Sequence, residues 1–168
     1  MDMRDLPVTE AFLSQDNCFA NLCYDCGFYK KISEVYIPDG LTVFSTCMFY
    51  STPVATVYGD LTKIKKVHDY AFQRTGLVGQ APYLPNVEFI GYRAFDNNTK
   101  LESVYLFNKQ ASISANAYDR CPKLKDIYVS WSEGEVANAP WGATNATIHY
   151  NTQYDADGNP ITEQGGDG

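Results

Sequence analysis

The side chains able to do chemistry in this 168-residue chain are few, and their spacing decides among the chemistries they suggest. Five cysteines stand at 18, 23, 26, 47 and 121, and Cys23-x-x-Cys26 with Cys18 nearby has the spacing of half a zinc site or of a redox pair. A structural zinc takes four ligands, usually as two close pairs, and no second pair follows. Burial as compact hydrophobes is therefore the favoured reading of these thiols, ahead of a disulfide and well ahead of metal. An odd count in a chain without obvious staples suits a reducing or anaerobic setting. His68 and His149 are the two histidines, and neither sits in a nucleophile–base–orienter pattern, so no catalytic residue is assigned. Asp155-x-Asp157-Gly158-Asn159 starts like a calcium loop but puts Pro160 where an EF-hand needs glycine, so a plain Asp-Gly turn fits better. No glycine-rich phosphate loop is present, and neither a cofactor nor a metal is expected. Asn97-Asn98-Thr99 and Asn145-Ala146-Thr147 match the glycosylation tripeptide, which has meaning only in a eukaryotic secretory pathway.

What the chain does offer is aromatic surface, with 13 Tyr and 9 Phe. Tyr36, Tyr105 and Tyr128 each stand between two aliphatic residues, as in Val35-Tyr36-Ile37, Val104-Tyr105-Leu106 and Ile127-Tyr128-Val129. If the aliphatic residues point inward on strands, the tyrosines point outward. Tyr58 joins them if its part of the chain is one residue short. Tyr36, Tyr58, Tyr105 and Tyr128 are the ligand-binding candidates, because tyrosine presents apolar area and a hydroxyl at small entropic cost. Cross-strand packing, worth about 0.2–1 kcal/mol per pair, is the competing explanation and is compatible with binding. Lys63-x-Lys65-Lys66 reads as a solvated sheet edge that discourages strand pairing.

These residues need a frame, and a repeat supplies it. Met48-Phe49, Ala71-Phe72, Ala94-Phe95 and Ala117-Tyr118 recur at intervals of 23 residues. Four positions before each pair stand Phe44, Val67, Ile90 and Ile113; seven before stand Leu41, Ile64, Val87 and Gln110; seven after stand Ala55, Val78, Leu101 and Leu124. Several columns agreeing at one period define a repeat protein. Alternation over four to six positions marks short strands with one buried face, and no run keeps a 3.6-residue period long enough for a long helix. One unit cannot bury its apolar side alone, so successive units must stack, with equivalent strands as parallel neighbours. The fold class is a mainly β solenoid. Val54, Val57 and Tyr58 sit one place early in their unit, and the Gly- and Pro-bearing stretch from Gly76 to Pro85 is too irregular for a clean strand.

The pattern Leu101-x-x-Val104-x-Leu106, then Ile113-x-x-x-Ala117-Tyr118-x-x-Cys121-x-x-Leu124-x-x-Ile127, resembles the BspA-like leucine-rich repeat. Val35-Tyr36-Ile37-Pro38-Asp39-Gly40 is similar to that family's strand and turn, and Cys47-Met48-Phe49-Tyr50 to a variant of its Ala-Phe corner. The chain departs from the family where Thr52, Thr75 and Asn98 replace the corner cysteine and where Gln110 replaces an apolar residue. The organisation that follows is a lead-in or cap over 1–17, an array of about four to five units over 18–130, a capping segment over 131–150 and a polar, acidic, flexible tail over 151–168. Trp131, Trp141 and a final strand around Ile148 are suited to cover the apolar end of the last unit. The resemblance implies a non-enzymatic recognition module in a bacterial-surface, adhesion or phage context, with a protein or glycan as partner. A structural or assembly role, as spacer or virion subunit, is the alternative.

Charge sharpens this picture. Thirteen Lys and Arg against 20 Asp and Glu give a net charge of −7, which argues against nucleic acid or an anionic membrane as partner. No lysine or arginine follows Lys125, while Asp126, Glu133, Glu135, Asp155, Asp157, Glu163 and Asp167 do, so residues 1–125 are balanced. The acidity belongs to the end of the chain, where it keeps a solenoid terminus soluble. No apolar run reaches the roughly 18 residues of a membrane span, and Met1-Asp2-Met3-Arg4-Asp5 has no signal-peptide character. Localisation is left open: the resemblance implies a cell-surface, extracellular or phage-particle setting, and a cytoplasmic one follows only if the chain is full length.

Overall fold

The computed structural model describes residues 2, 32–155 and 160–161. Cys18, Cys23 and Cys26 lie outside them, as do Asp157, Gly158 and Asn159. The chain winds as a parallel β-solenoid of about five turns. On one side lie the strands β1 (Glu34–Tyr36), β3 (Thr56–Tyr58), β5 (Val78–Gln80), β7 (Lys100–Leu106), β9 (Asp126–Val129) and β10 (Thr147–His149). On the other lie β2 (Val43–Phe44), β4 (Lys66–Val67), β6 (Phe89–Ile90) and β8 (Ser112–Ile113), joined in that order into one parallel sheet. Its register steps by one repeat each time: Phe44 is opposite Val67, Val67 opposite Ile90, and Ile90 opposite Ile113.

A corner closes each turn, and the 23-residue pairs occupy it. Met48, Ala71, Ala94 and Ala117 are fully buried, and the aromatic residue after each forms an internal spine. The ring centroids of Phe49 and Phe72 lie 5.0 Å apart, those of Phe72 and Phe95 5.2 Å, and those of Phe95 and Tyr118 5.2 Å, the last two pairs stacked with nearly parallel planes. That spacing is close to the separation of neighbouring strands, so one ring per turn fits without gaps. The corner backbone bonds from turn to turn: Phe49 N donates to Ala71 O, Phe72 N to Ala94 O, and Phe95 N to Ala117 O, at 2.7–2.8 Å. Left-handed backbone recurs at Ser51, Arg74, Asn97 and Arg120, again one repeat apart, and lets the chain reverse before the next strand.

The fourth corner position explains how cysteine can be replaced. Cys121 Sγ donates to Phe95 O at 3.2 Å. At the equivalent place Thr52 Oγ1 donates to Phe49 O at 2.8 Å, and Asn98 Nδ2 donates to both Phe72 O and Phe95 O. Asn98 Oδ1 then accepts from the Thr75 backbone at 3.1 Å and from the Thr75 hydroxyl. The requirement is a compact donor that satisfies the corner carbonyls, and three residue types meet it. Beside it Asp96, also fully buried, accepts from Gln73 Nε2 and from Arg120, whose Nε lies 2.9 Å away.

Several expectations are corrected. Gln110 is exposed and Ala111 takes the apolar column, while Leu77 is buried where Val78, 56% exposed, was expected. Both shifts follow from turns that differ by a residue. The irregular stretch does form the short strand β5, which meets β7 with a register shift at Gly79/Gln80. Lys66 does not lie on an edge: β4 is paired on both sides, Lys65 faces Glu88 at 3.1 Å, and Lys63 faces Asp60 at 3.3 Å.

The array ends on a turn with altered residues. Trp131 and Trp141 are buried and meet edge to face at 6.3 Å. Tyr118 N donates to Trp141 O as earlier corners donate to the next turn, and Asn138 Nδ2 donates to Ile113 O on β8, the last strand of its sheet. β10 pairs in parallel with β9. Past it, β11 (Gln153–Tyr154) and β12 (Pro160–Ile161) form an antiparallel pair. This part of the stretch expected as a flexible tail is therefore structured, because Tyr154 has a ring to pack on: its centroid lies 4.1 Å from that of Phe107.

Candidate recognition surface

Tyr36, Tyr58, Tyr105 and Tyr128 all stand on the outer side of the strands whose aliphatic neighbours are buried. On β1 and β3 the pairing of Val35 with Val57 sets Tyr36 opposite Tyr58, a step of 22 residues, which is the one-residue shortening seen in the sequence. Their rings stack at 4.7 Å and 20°. On β7 and β9, Tyr105 lies opposite Tyr128, and the rings stack at 5.0 Å and 12°.

The structure brings these tyrosines together as two stacks, not as one continuous ladder. β1 and β3 form a two-stranded sheet of their own, and the second sheet on this side begins at β5. β5 carries Val78-Gly79-Gln80 and no aromatic residue, so the row of rings is interrupted there. Gly76 marks the step: a Cβ on it would lie 2.4 Å from Pro53 O, so only glycine lets the third turn settle against the second.

Four aromatic residues absent from the sequence-based set belong to the second stack. His149 on β10 lies opposite Tyr128 and stacks on it at 4.5 Å and 14°. Tyr154 reaches over from β11 and meets Tyr105 edge-on at 6.4 Å, and Tyr83 meets Phe107 at 4.9 Å. The alternation of His149 with Ile148 was a usable signal, but a step of 21 residues from Tyr128 concealed the shared row. His149 also has an acidic neighbour that the sequence did not reveal, with Nε2 2.8 Å from Asp126 Oδ1. His68, in contrast, follows β4 and meets the Phe89 ring edge-on at 5.8 Å.

Glu34, whose Oε1 accepts from the Tyr58 hydroxyl at 3.3 Å, pushes the Tyr58 ionisation upward. Burial first, then Asp126 and Tyr105, raise that of Tyr128, and burial raises that of Tyr154. Burial pushes the Cys121 thiol up to about 11, which lowers its thiolate fraction. Among the described residues no group of three or more His, Cys, Asp or Glu is placed to hold a metal, and no helix is long and apolar enough to cross a membrane. The arrangement provides rigid ring surface with hydroxyls at its rim.

Comparison with known proteins places this architecture. Residues 15–125 match the family model described as the BspA type leucine rich repeat region, in six copies. Comparison with curated proteins gives no significant match. Among solved structures, the chain is similar to a leucine-rich repeat protein from Bacteroides ovatus, with a TM-score of 0.50 and 17% identity over 71% of this chain. It spans about a third of that protein's length, 32%. The 23-residue period, the buried Ala-aromatic corners and the parallel strands are thus those of one repeat family, and the chain belongs to the BspA-type leucine-rich repeats.

Proposed function

We propose that this protein is a non-enzymatic recognition module that binds a protein or glycan through the ring-bearing outer face of its solenoid. The observation that carries the reading is the pair of outward stacks, Tyr36–Tyr58 and Tyr105–Tyr128–His149, whose four tyrosines stand on strands with buried inner residues. Stacked rings on a stiff sheet lose little entropy when a partner covers them. The repeat family supports protein interaction as the general role, and a bacterial-surface or phage setting is the context we infer from the resemblance. The divisions inferred from the sequence over 1–17, 18–130 and 131–150 remain part of this proposal, with the array carrying recognition and the end segment closing it.

The test compares wild-type protein with Tyr36→Ser/Tyr58→Ser and Tyr105→Ser/Tyr128→Ser, each immobilised against bacterial and host surface extracts. A component retained by wild type and at least about tenfold weaker on one folded variant supports the reading. Equal retention by wild type and both variants refutes it.

A further inference from the structure

We propose that the end of the second ring stack is a saccharide subsite, taking a neutral pyranose ring in the cleft between β10 and the β11–β12 hairpin. The inference rests on the recognition role above and names its ligand class at one place. The cleft has a volume of about 450 Å³ and is bounded by Tyr128, His149, Asn151, Gln153 and Ile161 among others. That size falls within the range of small-molecule sites.

Its platform is already built. His149 lies on Tyr128, and β10 is the last strand of its sheet, so no described ring covers the second face of the imidazole. The bond from Nε2 to Asp126 holds the ring plane in place before any ligand arrives. A pyranose presents one face of polarised C–H bonds, which lies well on an aromatic face, and a rim of hydroxyls that each donate and accept.

Beside the platform stand side chains able to answer that rim. Asn151 Oδ1 accepts from Ser132 Oγ at 2.9 Å, while its amide nitrogen has no hydrogen bond among the described residues. The exposed amide of Gln153 likewise has none there. A neutral amide is both donor and acceptor, as a hydroxyl is. Ile161, 52% exposed, adds an apolar wall. None of the lining residues is Asp, Glu, Lys or Arg, and Asp126 stands beside His149, which selects a neutral sugar over a sulfated or carboxylated one.

The experiment is saturation-transfer NMR and titration of the full chain with cellotriose, maltotriose, mannotriose and chitotriose, with a heparin disaccharide as anionic control. At least one neutral trisaccharide is expected to saturate, and the heparin disaccharide to give no transfer. His149→Ala should weaken binding about tenfold or more, His149→Phe should keep it through the retained ring, and Gln153→Ala should weaken it about threefold. Failure of all four neutral sugars to saturate overturns the subsite, as does wild-type affinity in a folded His149→Ala protein or loss of binding in His149→Phe. Lys63→Ala, at a residue that does not line the cleft, should leave sugar binding unchanged. A failed subsite with intact retention of a surface component by the Tyr36–Tyr58 and Tyr105–Tyr128 stacks refutes the saccharide alone.

Discussion

Asn98 shows how a single corner residue carries structural weight. Its fully buried side chain serves the carbonyls of Phe72 and Phe95 and accepts from Thr75, so it bonds two successive turns. Asn98→Ala leaves those groups dry and unpaired, and unfolding by urea should show a loss of about 2–4 kcal/mol. Asn98→Cys, which restores the donor found at Cys121, should recover part of that loss. Cys121 itself makes a sharper chemical statement. With its thiol raised to about 11 by burial, it should stay unalkylated in native protein at about pH 8 and react once the chain is unfolded, as peptide mapping would show. Rapid native alkylation would contradict the buried corner. The stacks belong to this scale too, since each Tyr→Ser exchange costs roughly 0.2–1 kcal/mol in cross-strand packing and leaves the fold intact.

Among the elements, β5 and the cap are where the turns depart from strict repetition. At Gly76 an added Cβ would strike Pro53 backbone, which has no flexible end to yield. Gly76→Ala should therefore lower the unfolding free energy by about 1–3 kcal/mol. The cap is held partly by Glu135, whose Oε2 accepts from Ser132 N at 2.8 Å and whose Oε1 faces Lys109 at 3.4 Å. The Ser132 amide first, then Lys109, depress its ionisation below the usual glutamate range. A depressed carboxylate stabilises above its unfolded value and loses that contribution as pH falls through the folded one. The hydrogen-exchange protection factors over residues 131–136, corrected for the intrinsic pH dependence of exchange, should thus fall in acid, and Glu135→Gln should flatten that dependence.

These same elements mark how far the sequence could be read. β1, β7 and β9, with their inward aliphatic residues and outward tyrosines, were legible because period-2 alternation and the 23-residue interval agreed there. The strand β5, the exchange of Val78 for Leu77 and of Gln110 for Ala111, and the division of the tyrosines into two stacks were not, because one missing residue moves every side chain after it to the other face. His149 and Tyr154 joined the second stack through spacings of 21 residues and a hairpin, which no column of a fixed repeat reports. Asp126 as the neighbour of His149 is a diagonal contact between strands and needed the register to be known.

For the whole molecule, charge and shape divide the work. Lys65 with Glu88, Arg93 with Asp119, Arg120 with Asp96, and Lys109 with Glu135 couple one turn to the next. Most of these pairs are exposed and individually weak, which makes them aids to register more than sources of stability. A partner that meets the ring-bearing face is bound through apolar area and hydroxyls, and its affinity should change less than about threefold between about 0.05 and 0.5 M salt. A steep loss over that range would assign recognition to the acidic chain end instead. The most direct measurement is the affinity of one identified surface component for wild-type protein and for the two folded double-tyrosine variants. The account predicts a loss of about tenfold or more in at least one variant, and affinities equal to wild type in both would contradict it.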